Sequence, residues 1–377
     1  MNEQPTHRHA AGAPAISVPH ERRRRYRGTH PRRFEDKYKE HSGDAEAIAK
    51  VVAAGKTPAG THRPILVREI LEVLAPKPGD VAVDCTLGYG GHALQILPRI
   101  LPRGRLVGLD ADPLELPKAE ARLRALGFDE SVFTACRSNF AGLPRILAAQ
   151  NLPGADLILA DLGVSSMQID DPARGFSVKF DGPLDMRMNP QRGQPASEVL
   201  QRTNAAALAD LLADFSDEPH ATELAAALAG KSFASTLQLA QAVRAALPWL
   251  GRQDSELTVR RVFQGLRIAV NDELSALETL LRQLPHCLKP GGRAAILTFH
   301  SGEDRRVKKS FAANFAKGVY SEIAREVIRP TPEEQYSNPR SAPAKLRWAK
   351  LKTNSEAAAR TEPGRLDESP PGTEGTS

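Results

Sequence analysis

The sequence predicts an α/β protein, built on a doubly wound parallel sheet that is interrupted by a helical insertion. From about residue 62 to residue 165, apolar stretches of strand length alternate with helical stretches. This alternation is typical of parallel strands covered by helices on both faces. It stops between about residues 165 and 257, where Ala-rich helical segments follow a Gly- and Pro-rich loop, and it returns just before Arg293.

The first half of the chain supplies four predicted strands and the helices between them. A helix is predicted where Leu66, Ile70 and Leu74 recur at helical spacing, and it ends before two nearby prolines. A second helix is predicted over His92–Ile100. The four predicted strands, each short and largely apolar, are Val81–Thr86, Leu106–Asp110, Ser131–Cys136 and Asp156–Asp161.

The second half contains the insertion and the remaining strands. Its Ala-rich helical segments are predicted near 204–215, 220–231 and 236–247. A Lys-Pro-Gly-Gly turn then leads into a predicted strand over Arg293–Phe299. Mixed alternation predicts two strands near a sheet edge, Ile323–Arg329 and Lys345–Lys352.

These patterns divide the chain into five parts. Residues 61–165 and 257–352 are predicted to form the two parts of one α/β core, and residues 166–256 the inserted substrate domain. Residues 1–60 form a basic extension. Residues 353–377 are rich in Ser, Thr, Glu, Pro and Gly and are predicted to be disordered.

Composition narrows the class of protein. The formal net charge of +6 and the pI near 9.3 are compatible with a nucleic-acid partner. No apolar run approaches the roughly 18 residues of a membrane span, and the N-terminus lacks an apolar signal-peptide core. Three widely spaced cysteines are typical of reduced thiols, and the His and Cys spacing offers no metal site. A cytoplasmic protein that binds no membrane is expected; its oligomeric state is not predicted.

The basic extension has two interpretations. Between Glu21 and Lys39, seven Arg and two Lys stand against three acidic residues. The run is either a solvated tail or an arm that binds RNA phosphates, since clustered guanidinium groups release counterions from a polyanion. Composition leaves both open.

A glycine-rich turn lies where the first predicted strand meets the next helix. Gly88, Gly90 and Gly91 permit a tight turn and a close approach of the backbone to a ligand. Asp110 ends the next strand, 22 residues after Gly88, where a carboxylate can accept hydrogen bonds from ribose hydroxyls. The pattern predicts a site for an adenosyl ligand, which is either S-adenosylmethionine or a dinucleotide.

Two details favour S-adenosylmethionine over NAD. The glycine spacing is not G-x-G-x-x-G, and His92 stands where a pyrophosphate requires small residues and free N–H groups. An NAD-dependent oxidoreductase would also need a hydride-acceptor site, which we do not find in the sequence. A methyltransferase is therefore the favoured class.

Several ordered motifs make the assignment more specific. They are Asp161–Asp170, Arg174–Ser177, Asp181–Met188, Phe263–Ile268, Asn271–Leu274, Phe299–Asp304 and Asn338–Ser341. In this order they closely resemble the small-subunit ribosomal RNA cytosine-N4-methyltransferase H family, also called MraW. The resemblance runs from about His62 to Lys350.

The resemblance implies a class I, Rossmann-like methyltransferase sheet with a helical insertion. It implies S-adenosylmethionine contacts at seven positions that carry the family's residue types: Gly90, Gly91, His92, Asp110, Phe140, Asp161 and Gln168. In this arrangement Phe140 lies near the adenine and Asp110 holds the ribose, while Asp161 and Gln168 lie beside the methionine end and the entering base. The implied substrate is a cytosine in the decoding region of 16S ribosomal RNA, in the small subunit, and DNA is not expected.

Asp161 is the candidate catalytic residue. Methyl transfer from a sulfonium is an in-line displacement, so the enzyme chiefly aligns the amine with the methyl group. The lone pair of cytosine N4 is delocalised into the ring, and an acceptor for its N–H bonds rehybridises the nitrogen toward the methyl. Ser165 and Ser166 are candidate helpers.

Departures from the family pattern keep alternatives open. Asp217-Glu218-Pro219-His220 replaces an acidic Gly-Glu-Glu segment, Gly302 replaces Leu, and Ala342-Pro343-Ala344 replaces Arg-Ser-Ala. The chain is therefore also compatible with a divergent paralogue that methylates a different RNA. A non-catalytic RNA-binding assembly factor is a further alternative, although the intact acids Asp110 and Asp161 argue against it.

Two groups of polar residues have more than one interpretation. Arg174, Arg187 and Arg267 either bind phosphate or pair with nearby acidic residues. The segment around His300 forms either a hydrogen-bonded strand-to-loop corner or a contact to the substrate base. A Ser-His-Asp triad is disfavoured there, because such close sequence neighbours cannot all converge from one strand end.

Overall fold

The computed structural model describes residues 64–358, which form one seven-stranded sheet flanked by helices. The strands are β1 (Val81–Asp84), β2 (Arg105–Asp110), β3 (Phe133–Arg137), β4 (Ala155–Asp161), β5 (Leu288–Thr298), β6 (Tyr320–Ile323) and β7 (Lys345–Leu351). Their order in the sheet is β3-β2-β1-β4-β5-β7-β6. The first five strands in this order are parallel, and β7 pairs antiparallel with both β5 and β6. The predicted α/β class is confirmed.

The helices fall into three groups along the chain. The core contains α1 (Val67–Leu74), α2 (Ala93–Ile100), α3 (Leu116–Ala125), α4 (Leu143–Ala149) and α5 (Ser166–Asp170). The middle of the chain contains α6 (Ala196–Arg202), α7 (Ala205–Ser216), α8 (Ala221–Leu228), α9 (Thr236–Ala246) and α10 (Arg252–Asn271). The last group is α11 (Glu273–Cys287), α12 (Ser301–Ala316), α13 (Pro332–Ser337) and α14 (Asn354–Ala358).

Apolar alternation along the strands places the sheet between two cores. Val83 of β1 packs in one cluster with α11 residues such as Leu280. The next residue back along the strand, Ala82, packs in the other cluster with Ile70 of α1 and Ile96 of α2. Because successive strand residues face opposite sides, both faces of the sheet are covered, as the doubly wound fold requires.

The middle helices enclose a third core of their own. Leu208, Leu224, Leu239 and Val262, which lie on four of these helices, are all buried in it. α10 is a single helix of 20 residues, so the predicted boundary between residues 256 and 257 falls inside it. The division into domains itself stays a prediction.

The edge of the sheet differs from the prediction. Lys345–Lys352 is confirmed as a strand, but the strand predicted over Ile323–Arg329 is wrong in position, since β6 ends at Ile323. Tyr320, which starts β6, is buried with its ring edge-on to Phe311, 5.6 Å between centroids. Beyond Ile323, the Ala324 N–H donates to the Trp348 carbonyl of β7 (2.8 Å), and an isolated bridge pairs Ile328 with Leu346.

The segment after the last strand also begins with more order than predicted. Thr353 and Glu356 form a reciprocal cap at the start of α14: the Thr353 N–H donates to Oε2 of Glu356 (2.7 Å), and the Glu356 N–H donates to Oγ1 of Thr353 (3.3 Å). The remainder of that segment and the basic extension lie outside the described residues. Within residues 64–358, no helix has the length and apolar character needed to span a membrane.

Candidate active site

The glycine-rich turn lies at the carboxyl end of β1, as predicted. It is closed by the Leu87 N–H, which donates to the Leu109 carbonyl of β2 (2.7 Å), and by the Gly90 N–H, which donates to the Leu87 carbonyl (2.7 Å). Gly90 has a φ of +77°, and a Cβ there would lie 3.3 Å from the Leu123 side chain. The turn therefore requires glycine at this position.

Asp110 lies against this turn. Its Oδ2 accepts a hydrogen bond from the Gly88 N–H (2.8 Å), and its Oδ1 accepts one from the Asp112 N–H (2.8 Å). Burial raises the pKa of Asp110 from 3.8 to about 6. The carboxylate is thus fixed by two backbone donors at the carboxyl end of β2, the place predicted for ribose recognition.

Asp161 ends β4, the strand on the other side of β1. Its N–H donates to Oγ1 of Thr86 (2.7 Å), and its Oδ2 lies 3.4 Å from Nε2 of the buried His92. Burial lowers the pKa of His92, but the neighbouring carboxylates, Asp161 foremost, together raise it by more, so the pKa lies above its ordinary value. The other carboxylate oxygen, Oδ1, is buried and has no hydrogen-bond partner among the described residues.

Asp84 joins this cluster, although no sequence motif singled it out. It is 1% exposed, its Oδ1 accepts a hydrogen bond from the Thr86 N–H (3.1 Å), and its Oδ2 has no partner within residues 64–358. Burial raises its pKa to about 6. A buried, unpartnered carboxylate oxygen is costly, so the oxygens left over on Asp84 and Asp161 fit a ligand that brings N–H donors or positive charge.

Phe140 lies next to the same end of the sheet. It begins a short 3₁₀ turn, Phe140–Gly142, that starts three residues after the end of β3, and the residue is half-buried. The preceding Ser138 donates its N–H to the Asp110 carbonyl (3.0 Å), which ties this turn to β2. The turn that carries Phe140 is therefore attached to the end of β2, where Asp110 lies.

Gln168 reaches the site from α5. Its Oε1 accepts a hydrogen bond from the Ser165 N–H (2.9 Å), and the Gln168 N–H donates to Oγ of Ser165 (3.2 Å), which together cap the helix. Its Nε2 donates to Oδ2 of Asp112 (2.8 Å). Within residues 64–358, these bonds leave one amide hydrogen and one oxygen lone pair of Gln168 without a partner, whereas the hydroxyl oxygen of Ser165 serves the cap.

Asp112 is a second residue of the site that no sequence motif indicated. It is fully buried, its Oδ1 accepts a hydrogen bond from the Leu114 N–H (2.9 Å), and its Oδ2 also accepts one from Nη1 of Arg174 (2.8 Å). The signal in the sequence is weak, because an Asp before a Pro at a strand end usually indicates only a turn. Its partners come from 56 and 62 residues away, which no local pattern encodes.

The three arginines with two interpretations all pair with acidic residues. The ion pairs are Arg174–Asp112 (2.8 Å), Arg187–Asp185 (2.7 Å) and Arg267–Glu273 (2.8 Å). The side chains of Arg174 and Arg267 are 9% and 18% exposed, which leaves little surface for an RNA phosphate. Pairing with acidic residues is the interpretation that the structure supports.

The segment around His300 forms a corner between β5 and α12. Nε2 of His300 lies 3.3 Å from Oε1 of Glu303, whose Oε2 accepts a hydrogen bond from the Phe299 N–H (2.8 Å). Ser301 instead donates to Asp217 (2.5 Å), and Asp304 pairs with Arg347 (2.6 Å). The three side chains of a supposed triad thus have separate partners, consistent with the strand-to-loop corner.

One departure from the family pattern has a structural compensation. Asp217, the first residue of the segment that departs from the family pattern, ends α7 in a left-handed conformation with a φ of +49°. Asp tolerates this region better than most residues. The hydrogen bond from Ser301 holds its carboxylate, and that bond and Arg305 keep the pKa of Asp217 below its ordinary value.

Gly175→Ala should destabilise the protein by about 3 kcal/mol, because two constraints act at this position. Its φ is +71°, and a Cβ would lie 2.1 Å from the Pro183 carbonyl oxygen. Gly230→Ala is the matched control, since Gly230 has the same φ of +71° but nothing within 4 Å, and we expect it to cost only about 1–2 kcal/mol. Urea unfolding of both variants measures the difference; equal midpoints would contradict the close approach at Gly175.

The chain is similar over most of its length to known proteins. The MraW methylase family matches residues 59–352. Ribosomal RNA small subunit methyltransferase H 1 of Lachnoclostridium phytofermentans is 46% identical over 341 residues, which cover 88% of this chain and 93% of that protein. The methyltransferase H 2 of Alkaliphilus metalliredigens is 46% identical over 340 residues, covering 87% and 97%. Ribosomal RNA small subunit methyltransferase H of Heliobacterium modesticaldum is 40% identical over 309 residues, covering 76% of this chain and 97% of that protein. This chain therefore belongs to the MraW methylase family.

Proposed function

We propose that this chain transfers the methyl group of S-adenosylmethionine to N4 of a cytosine in the decoding region of 16S ribosomal RNA. The observation that carries the proposal is the pair of carboxylates on either side of β1. Asp110 is fixed against the glycine-rich turn, and Asp161 presents a buried oxygen that lacks a partner within the described residues. Membership of the family and the names of the relatives support the choice of ribosomal RNA.

Eight residues would hold the cofactor, namely the seven predicted ones and Asp84. The backbone of Gly90 and Gly91 allows its close approach, Asp110 accepts from the ribose hydroxyls, and Phe140 packs against the adenine. His92, Asp161 and Gln168 face the methionine end, where the leftover oxygen of Asp84 suits the ammonium group. When bound, the cofactor supplies a methyl group made electrophilic by its sulfonium.

The residues of the site then act on the cytosine. Asp161 accepts an N–H of the exocyclic amine and turns the nitrogen lone pair toward the methyl group. The new N–C bond forms as the C–S bond breaks, and the electron pair of that bond stays on sulfur. The nitrogen, positively charged after transfer, releases a proton to the Asp161 carboxylate or to water, so no strong base is required.

Mass mapping of 16S ribosomal RNA from cells with and without the gene tests the proposal. We expect one cytosine to lose a single methyl mass when the gene is deleted, and to regain it when the purified chain and S-adenosylmethionine act on the unmethylated small subunits. Methylation of another RNA, or binding to subunits without transfer, would refute it and favour the alternative substrate or the assembly factor. Small subunits mature in the cytoplasm, so we propose that location for the chain.

A thermal-shift comparison separates the cofactor classes. S-adenosylmethionine at a hundred times its dissociation constant should stabilise the fold by about 2.7 kcal/mol, while NAD and NADP at the same concentration should leave the melting temperature unchanged. A larger shift with NAD would contradict the methyltransferase assignment.

The basic extension lies outside the described residues, and its role stays a prediction. If it binds RNA, deletion of residues 1–40 should weaken binding to small subunits and lower the log–log salt slope by about 0.7–0.9 for each phosphate that is no longer neutralised. Cofactor affinity should not change, because the elements of the site begin at β1. Binding measured at several salt concentrations tests this; parallel slopes with equal affinities would identify a solvated tail.

A further inference from the structure

A strained segment of backbone lies beside the cofactor site. Asp185–Met188, here called the clamped segment, contains Met186, which is fully buried and has a φ of +62°. Residues other than Gly, Asn and Asp rarely adopt this conformation, and they keep it only where the surroundings determine it strongly. Such strain is found most often at ligand sites, so the contacts that hold the segment indicate what it does.

Two side chains bind the backbone of this segment from opposite directions. Nη2 of Arg174 donates to the carbonyl oxygens of Arg187 (3.0 Å) and Met188 (2.9 Å). The side chain of Asn271, at the end of α10, accepts from the Met188 N–H (2.7 Å) and donates to the Met186 carbonyl (2.8 Å). The Met186 N–H donates to the Arg174 carbonyl (3.0 Å). Nearly every polar backbone atom of residues 186–188 is therefore engaged.

The same guanidinium reaches the cofactor side of the site. Nη1 of Arg174 pairs with the buried Asp112, whose own N–H holds the Asp110 carboxylate. The guanidinium of Arg174 thus joins the loop after β2 to the clamped segment. Because this group is planar and rigid, it fixes the distance between them. Asp185, Arg187 and Met188, all half-buried, are the side chains of this segment that remain partly open.

We propose that the clamped segment is one wall of the site that receives the cytosine, and that Arg174 is the positioning residue that sets its distance from the cofactor. The inference rests on the proposed function, because it concerns the alignment of that base with the methyl group. An in-line displacement requires accurate alignment of cytosine N4 with the methyl group. A wall that is already rigid before the substrate binds therefore favours transfer. Arg174 acts through the backbone it holds and not by touching the substrate.

Arg174→Lys separates this role from simple stabilisation. Lysine keeps the positive charge beside Asp112, but its single ammonium cannot span Asp112 and the two carbonyl oxygens as the guanidinium fork does. Asn271→Ala releases the segment from the other side without touching the buried ion pair. Both variants should therefore loosen the same backbone by independent routes, and the second keeps the inference testable if the first does not fold.

The experiment compares both variants with matched controls. Arg202→Lys makes the same change in an exposed ion pair, and Asn314→Ala removes a similar side-chain bond from α12. The measurements are kcat and KM on unmethylated small subunits, S-adenosylmethionine affinity by calorimetry, and hydrogen exchange of the Met186 and Met188 amides. We expect kcat to fall by about tenfold or more in both variants, with faster exchange of these amides and cofactor affinity within about threefold of the wild type. Both controls should behave as wild type.

The outcomes separate this inference from the function on which it rests. No transfer by the wild-type chain would refute the proposed function and the inference with it. Transfer by the wild type, with kcat unchanged in both variants, would refute the inference alone. A parallel loss of melting temperature, cofactor affinity and kcat would also overturn it, because it would assign Arg174 and Asn271 to stability rather than to positioning.

Discussion

Asp161→Asn should slow methyl transfer about a hundredfold or more in a single turnover, while the affinity for S-adenosylmethionine falls much less. The amide keeps the size of the carboxylate and one acceptor oxygen. It loses the charge that strengthens hydrogen bonds from the cytosine amine as positive charge develops on nitrogen. The loss of charge should destabilise the transition state more than the complex with the cofactor, so the transfer rate should fall more than the cofactor affinity.

Rapid mixing of enzyme, saturating cofactor and unmethylated small subunits measures this rate. Asp156→Asn is the matched control, because Asp156 lies near the other end of β4, where it accepts from the Val81 N–H and pairs with Lys289. The control should transfer at the wild-type rate. An Asp161→Asn variant that also does so would remove this residue from the reaction. Equal losses in rate and affinity would limit Asp161 to holding the cofactor.

The sheet and the cofactor turn were predictable because their signals are local. Apolar runs define β1, β2 and β4, and a glycine-rich turn that lies between a strand and a helix is a local pattern, although by itself it is weak evidence for a ligand site. The interval between Gly88 and Asp110 also carries information, since adjacent parallel strands end at the same edge of the sheet. A ligand site formed at the carboxyl ends of neighbouring parallel strands can therefore be predicted from the sequence.

The residues that sequence did not indicate depend on contacts distant along the chain. Asp112 looks like a turn residue until Gln168 and Arg174 are seen to meet it. The position of β6 also escaped prediction, because Tyr320 at its start packs on Phe311 of α12, a contact that alternation alone does not encode. In the sequence, Asp84 is simply the residue that precedes the glycine-rich turn. Only the structure shows that its Oδ2 is buried and has no hydrogen-bond partner within the described residues.

For the arginines, the sequence located the residues but could not decide between two roles. Sequence leaves phosphate binding and ion pairing equally open for Arg174, since both use the same charged group. Only the burial of Arg174 and its bonds to Asp112 and the clamped segment distinguish the two roles. Family motifs thus located the residue, while the structure assigned its contacts.

Asp110→Ala should reduce S-adenosylmethionine affinity by about tenfold to a hundredfold or more, corresponding to the loss of roughly 1.5–3 kcal/mol from charge-assisted hydrogen bonds to the ribose. Calorimetric titration measures the affinity. Asp129→Ala, a change at an exposed Asp beyond α3, is the control and should bind as wild type. Unchanged affinity in the Asp110 variant would remove this residue from the cofactor site.

The pH dependence gives the same residue a second, independent test. Burial raises the pKa of Asp110 from 3.8 to about 6, so in the free protein the carboxyl takes up a proton on acidification more readily than in the unfolded chain. Its contribution to stability is therefore present below about pH 4 and is lost as the pH rises through about 6.

Cofactor affinity has the opposite pH dependence, because ribose hydroxyls donate hydrogen bonds best to the charged carboxylate. Affinity should therefore rise between pH 5 and 7, by up to about tenfold per pH unit below the pKa. Asp84, with a pKa also raised to about 6, contributes in the same window. The slope should therefore be smaller in Asp110→Asn but not zero, and an identical slope in that variant would assign the whole effect to Asp84.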